Sequence, residues 1–120
     1  MKMNKPSKCI TEQEARNLQN NWVTTRGASI QNSIVQADSR EVVFNVADLE
    51  EFLAYVKSES TKQGIKDPGV RVYFAAHNDA KSTKSTVFLS PTTSSNSDAD
   101  NNYNLSPLNT VLGGYPPKDY

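Results

Sequence analysis

Residues 70–76, which read VRVYFAA, restrict the fold of this chain more than any other segment. Apolar side chains alternate there with Arg71 and Tyr73, and a strand places successive side chains on opposite faces of a sheet. We therefore expect a strand with one buried face and one wet face. The side chains predicted to be buried are those of Val70, Val72, Phe74 and Ala76.

Two further segments have the composition of strands. Residues 85–90, STVFLS, should end at Pro91 and return beside residues 70–76 as an antiparallel hairpin, after the polar segment 77–84. Residues 41–46, EVVFNV, are rich in β-branched and aromatic side chains and are expected to add a third strand. If this strand is parallel to its neighbour, the helix between them makes a right-handed crossover. An antiparallel neighbour is the alternative.

The helix between these strands is predicted from a clear apolar period. Acidic residues occupy its first turns, where the helix dipole favours negative charge, and Gly64 is placed to end it in a left-handed conformation. The turn 67–69 then leads into the strand. The apolar positions at helical spacing are Val46, Leu49, Phe52, Leu53 and Val56.

A second helix is predicted near the N-terminus, where Thr11 and Glu14 have the spacing of a capping box. We expect this helix to end near Thr25, and the repeat of Ile30 and Ile34 to form a short helix after it. Trp22 should be buried where the helix meets the sheet or the other helix. The apolar stripe of the first helix consists of Ala15, Leu18, Trp22 and Val23.

Together these elements predict one α+β domain over residues 10–120: an N-terminal helix, a strand-helix-hairpin unit that forms a small three-stranded sheet, and an irregular C-terminal strap. Residues 1–9 are expected to be a flexible N-terminus. Residues 92–104 are almost wholly polar or small, so we expect a mobile loop with nothing to anchor it to a core. The strap should pack through Leu105, Leu108, Val111, Leu112, Tyr115 and Tyr120.

Charge and cysteine content exclude several classes of function. Thirteen basic residues balance thirteen acidic ones, so no long-range field favours nucleic acid, and no apolar run is long enough to span a membrane. The single cysteine, Cys9, cannot close an intrachain disulfide. Residues 1–8 are polar and are not followed by an apolar run of signal-peptide length, so we expect no export signal. We therefore expect a soluble protein of the cytoplasm.

The familiar catalytic and metal-binding patterns are weak in this sequence. Cys9 and His77 are the only thiol and imidazole, and a calcium loop would need the glycine and glutamate that the cluster at residues 98–101 lacks. The carboxylates of Glu50, Glu51 and Glu59 are typical of a solvated helix face, and Gly113-Gly114 lacks a flanking strand and helix. We predict no catalytic residue, no metal and no cofactor, and we favour a protein that is not an enzyme.

One candidate ligand site remains, on the face of the strand predicted to be wet. Arg71 and Tyr73 should share that face, and His77 continues the row if the strand does not bulge. Arg can grip a planar anion with two hydrogen bonds, and Tyr can donate another, so the set suits a carboxylate or a phosphate. The competing interpretation, which we favour, is that these side chains only cover a small sheet.

Five segments resemble a family of small uncharacterised bacterial proteins. They are residues 38–40, DSR; 49–57, LEEFLAYVK; 69–74, GVRVYF; 86–92, TVFLSPT; and 113–117, GGYPP. The resemblance covers most of residues 10–120. It implies a domain and no particular reaction.

Two hypotheses for function follow. The first is a protein-interaction or binding module, in which a sheet face, an edge strand or the aromatic tail docks an unknown protein partner or a second copy of the chain. The second is a small enzyme or ligand sensor that binds an anionic small molecule at Arg71, Tyr73 and His77. The lack of a convincing acid, base or nucleophile favours the first.

Overall fold

The computed structural model describes residues 4–34, 36–110 and 113–120 and confirms the α+β class. Its helices are α1 (Glu12–Trp22), a π-helical turn (Val23–Gly27), α2 (Ala28–Ile34) and α3 (Val46–Lys62). Its strands are β1 (Gly69–Ala76), β2 (Ser85–Thr92) and β3 (Leu108–Asn109), which form an antiparallel sheet in the order β1-β2-β3.

The predicted hairpin is confirmed, and β2 runs further than expected. Its register places Gly69 opposite Thr92 and Ala76 opposite Ser85, so Pro91 lies inside the strand instead of ending it. The ladder explains why. The Asn102 N–H donates to the Pro91 carbonyl over 2.8 Å on the side of β2 that faces away from β1, so the amide that proline lacks costs the β1–β2 ladder no hydrogen bond.

The prediction of a strand at residues 41–46 is wrong. Within the described ranges this segment makes one isolated bridge, between Val42 and Gly113, and β3 takes the third position in the sheet beside Phe88 and Leu89. Among the described residues all strand pairs of the sheet are antiparallel, so the right-handed crossover does not form. Residues 41–46 lie outside the described sheet, so the alternative of an antiparallel neighbour is wrong as well. Asp38 holds the start of this region instead, because its carboxylate accepts hydrogen bonds from the backbone N–H and the hydroxyl of Ser85.

Helix α3 forms as predicted and supplies two of the four buried apolar side chains found among the described residues. Asn45 caps its N-terminus by accepting from the Asp48 N–H, and Gly64 follows its last turn with a φ of 76°. The Ile65 N–H donates to Ser60 O and the Gly64 N–H to Thr61 O, which is a Schellman ending. The core cluster consists of Phe52, Val56, Leu89 and Leu105, with Phe44, Leu49, Val70 and Leu108 packed against it.

The N-terminal helix starts as predicted, with a complete capping box at Thr11 and Glu14. It does not end near Thr25, because Val23 and Ala28 keep right-handed helical dihedrals and the helix continues through the π-helical turn into α2. Gly27 allows this turn to pack closely, since an added Cβ would lie 3.1 Å from the Trp22 ring. No described residue from Glu12 to Ile34 is fully buried, and the predicted burial of Trp22 is only partial.

The polar loop, residues 92–104, is anchored, contrary to the expectation that nothing in it could attach to the domain. Thr92 and Asn102 are buried, and the Asn102 amide donates to Gln63 Oε1 over 3.0 Å. The Thr93 N–H bonds to Asp100 O across the loop over 2.9 Å. Buried polar groups paired in this way fix a backbone without apolar contacts. The motion of the loop in solution stays a prediction.

The C-terminal strap lies along the segment after α2 and along α1. The Gly114 N–H donates to Glu41 O, and Arg16 bonds to the Tyr120 carbonyl and lies over its ring at 5.7 Å. Of the apolar strap positions, Val111 and Leu112 lie outside the described residues. Within the described ranges every helix is too short or too polar to span a lipid bilayer. The flexibility of residues 1–9 stays a prediction.

Candidate interaction surface

The most unusual feature of the sheet is an exposed apolar face on β1. Phe74 is 93% exposed and Val72 is 54% exposed, although the alternation of β1 predicts both to be buried. Of the four side chains of β1 that are predicted to be buried, only that of Val70 packs against the core cluster. The expected assignment of buried and wet faces is therefore wrong from Val72 onward.

This reversal has a physical cause in the length and position of α3. The helix covers the end of the sheet where Val70, Leu89 and Leu108 meet, and it does not reach the other end of β1. The face that should have been wet is covered by the polar loop instead. Phe74 and Val72 together form an exposed apolar patch on one strand. In a small domain such a patch is more informative than a single exposed side chain, because contiguous apolar surface is typical of sites that bind a partner.

Apolar surface borders β1 near each of its two ends. At one end, Leu53 of α3 is 46% exposed and borders a groove that reaches Val70. At the other end, a cavity of about 250 Å³ separates the N-terminal helix from the sheet. Its apolar walls are formed by Trp22, Ile30, Val42, Phe74, Ala75 and Val87.

The backbone of β1 adds an unpaired strand edge to this surface. His77 N–H donates to Lys84 O, and antiparallel ladders alternate, so the odd-numbered residues of β1 bond to β2. The even-numbered residues direct their N–H and C=O groups away from the sheet. In the described part of the chain no hydrogen bond reaches these outward groups of Val70, Val72, Phe74 and Ala76. We call this row the open edge.

On the opposite face, Arg71 holds the polar loop. Its guanidinium donates to Asn101 Oδ1 over 2.7 Å, to Ala99 O over 2.8 Å and to Ser97 O over 3.1 Å. The Asn101 amide in turn donates to the Tyr73 hydroxyl over 2.7 Å. Both terminal nitrogens of Arg71 are therefore committed to the protein. The Arg71 side chain thus holds the loop against this face of the sheet, and the choice between a covering role and a ligand site stays a prediction.

Tyr73 is fixed on both of its sides. Its ring stacks on Phe88, with ring centroids 4.9 Å apart and planes 18° from parallel. The hydrogen bond from Asn101, with a smaller contribution from the Arg71 guanidinium, holds the pKa of the Tyr73 hydroxyl below its ordinary value. A tyrosine held in this way is a rigid part of the loop anchor.

His77 does not join Arg71 and Tyr73. It follows β1 at the hairpin end and borders a separate cavity with Lys84 and Tyr115, while Tyr73 borders a cavity near Leu105. Beside His77, hydrogen bonds from the backbone N–H groups of Lys81 and Ser82 hold the pKa of the Asp79 carboxyl below its ordinary value. The structure thus unites two of the three predicted site residues through Asn101, which sequence reasoning had not assigned to them.

The weaker candidates have structural explanations. Glu50 and Glu51 are exposed, and Glu59 pairs with Lys62 on the surface of α3 at 3.3 Å. Gly114 lies against Glu41, where a Cβ would overlap the carboxylate. In the cluster at residues 98–101, the side-chain oxygen of Asn101 accepts a hydrogen bond from Arg71. The described residues contain no group of His, Cys, Asp and Glu side chains able to hold a metal ion.

Comparison with known proteins adds no relative: no protein-family model, curated protein or solved structure matches the chain. The candidate surface therefore rests on its own geometry. The signal that locates it was present in the alternation of residues 70–76, which identifies two faces. Which face is covered depends on how far α3 extends and on where the polar loop packs. The alternation of side chains predicts neither of these.

Proposed function

We propose that this chain is a protein-interaction module and that its binding surface is the open edge of β1 together with the side chains of Phe74 and Val72. The observation that carries the proposal is the 93% exposure of Phe74 in the middle of a strand with an unpaired edge. Apolar side chains beside unpaired backbone groups are what strand addition requires, because the backbone supplies affinity and the alternate side chains supply specificity.

The chemistry of the domain supports binding over catalysis. Arg71, the cation of the alternative anion site, donates to three acceptors of the polar loop, and His77 lies apart from it. An anion would have to displace the loop to reach both terminal nitrogens of Arg71. We place the module in the cytoplasm of a bacterium, on the strength of the single cysteine and the family resemblance, with a protein as its partner.

The test is tagged purification from the producing cell with a matched pair of variants. Phe74→Ser removes the exposed aromatic ring from the proposed surface. Tyr103→Ser removes an aromatic ring that is 89% exposed in the polar loop. Both positions are exposed, so both variants should melt close to the wild type.

We expect a stoichiometric protein, either another chain or an untagged copy, to be retained by the wild type and by Tyr103→Ser and to be lost from Phe74→Ser. Equal retention by all three proteins would contradict the proposal, since the bound surface would then lie elsewhere. A small molecule recovered without any protein would favour the ligand-sensor alternative instead.

A further inference from the structure

We propose that the partner of the open edge is a second copy of this chain, with β1 pairing antiparallel to β1 of the other copy about a two-fold axis at Tyr73. The inference rests on the proposed function and names its partner. It makes one continuous sheet from the two hairpins. Four properties of β1 support it: its register, its side chains, its charge and its exposed area.

The register is self-complementary. An axis at Tyr73 places Val70 opposite Ala76 of the second copy and Val72 opposite Phe74 of the second copy. These are the residues of the open edge, so each facing pair exchanges two hydrogen bonds and every outward N–H and C=O finds a partner. Moving the axis to Val72 or to Phe74 leaves the groups at one end of each strand unpaired.

The same register brings together side chains that suit each other. Phe74 and Val72 face each other across the two strands, once on each side of the axis. Pairs of an aromatic and a β-branched side chain are among the stabilising cross-strand pairs. Both side chains are exposed in the single chain, so neither has to leave a contact before it can pair.

Charge does not oppose the pairing. The only charged residue of β1 is Arg71, which would lie opposite Ala75 of the second copy and therefore away from the other Arg71. Its guanidinium is already held by the polar loop of its own chain. The formal net charge of the chain is zero at pH 7, so two copies do not repel each other at long range.

The area at the edge predicts a reversible dimer. A fully covered phenylalanine buries about 200 Å². Two copies of Phe74 thus supply roughly a third of the about 1,200 Å² that the smallest stable specific interfaces bury. Val72 and the backbone edge add to this. We therefore expect a dimer that dissociates on dilution.

The test is sedimentation of the purified full chain over a range of concentrations up to about 1 mM, where weak complexes populate. We expect the mass of the wild type to rise from 13.3 kDa toward twice that value. Val72→Pro removes an outward N–H and no bond to β2, so this variant should stay monomeric with an unchanged circular dichroism spectrum. Val72→Thr keeps the N–H and the branched shape and should dimerise like the wild type.

Cross-linking tests the register even if Val72→Pro fails to fold. In a Cys9→Ser background, Tyr73→Cys places two thiols at the axis, where facing Cα atoms in such a pair lie about 4.5 Å apart. This variant also loses the contacts of Tyr73 with Phe88 and Asn101, so its fold is checked by circular dichroism, and it should then oxidise to a covalent dimer. Ala75→Cys is the matched control, because the two copies of residue 75 would be displaced by about 13 Å along the strands, beyond disulfide reach.

The outcomes separate the two claims. A wild type that remains monomeric at all concentrations overturns the second copy as partner, and the proposed function survives only if the Phe74→Ser variant still loses a captured protein. A dimer that persists in Val72→Pro, or a cross-link as efficient at residue 75 as at residue 73, overturns the edge geometry. A monomeric wild type together with Phe74-independent capture refutes both claims.

Discussion

Arg71→Ala is expected to destabilise the domain, because Arg71 connects β1 to the polar loop. Its guanidinium serves three acceptors, of which Asn101 Oδ1 and Ala99 O are partly buried and Ser97 O is exposed. A hydrogen bond to a charged group contributes about 1.5–3 kcal/mol where water is excluded and less where water replaces it. Allowing for exposure, we expect a loss of about 2 kcal/mol in the free energy of unfolding, with most of it from the two partly buried acceptors.

The assay is urea denaturation followed by circular dichroism, with thermal melting beside it. A loss of about 2 kcal/mol corresponds to a fall of roughly 8 °C in Tm for a domain of this size. Arg71→Lys should fall between wild type and Arg71→Ala, because one ammonium cannot reach all three acceptors. Arg26→Ala is the control, since Arg26 is exposed and donates to its neighbour Thr25.

An Arg71→Ala variant within about 0.5 kcal/mol of the wild type would refute the structural role, since that is the usual range for an unpaired surface residue. If that variant also lost a thermal shift that an anionic metabolite gives the wild type, Arg71 would belong to a ligand site. The argument that Arg71 is held by the loop and is not available to an anion would then fail, and the ligand-sensor hypothesis would be favoured.

Three further predictions concern the polar loop and the first helix. In an ultraviolet titration one of the five tyrosines should ionise below its ordinary pKa, and Asn101→Ala should reduce the shift, because the Asn101 hydrogen bond is its largest cause. Because folding lowers the pKa of this hydroxyl, its ionisation adds stability at high pH, and this stability is lost as the pH falls through the folded-state pKa. Amide hydrogen exchange should be slow at Thr93 and Asn102, because their N–H groups donate hydrogen bonds. Exchange as fast as in an unfolded peptide would instead support the prediction that the loop is mobile. Thr11→Ala should cost about 1 kcal/mol by loss of the cap, against no measurable change for Thr11→Ser.

The elements that sequence could predict are those with local signals. Thr11 and Glu14 cap a helix within one turn, and Gly64 ends α3 by its own conformation. The hairpin follows from two strand-like runs separated by a short polar segment. Each of these depends on residues close together in the chain, so no tertiary partner has to be known.

The elements that sequence could not predict depend on distant partners. Residues 41–46 have strand composition, but the place beside β2 goes to residues 108–109, and in the described part of the chain Val42 forms a single bridge, to Gly113. The exposure of Phe74 follows from where α3 stops, and the anchoring of the loop follows from Arg71 reaching Asn101. A polar segment can thus be ordered by hydrogen bonds that its composition does not indicate.

Amide hydrogen exchange along β1, measured by nuclear magnetic resonance, tests the open edge most directly. In dilute protein the N–H groups of Tyr73 and Ala75, which face β2, should be protected, whereas those of Val72 and Phe74 should exchange rapidly. Raising the concentration should slow exchange at Val72 and Phe74. Protection of all four amides in the dilute monomer would contradict the account, because the edge of β1 would then be covered by the chain itself.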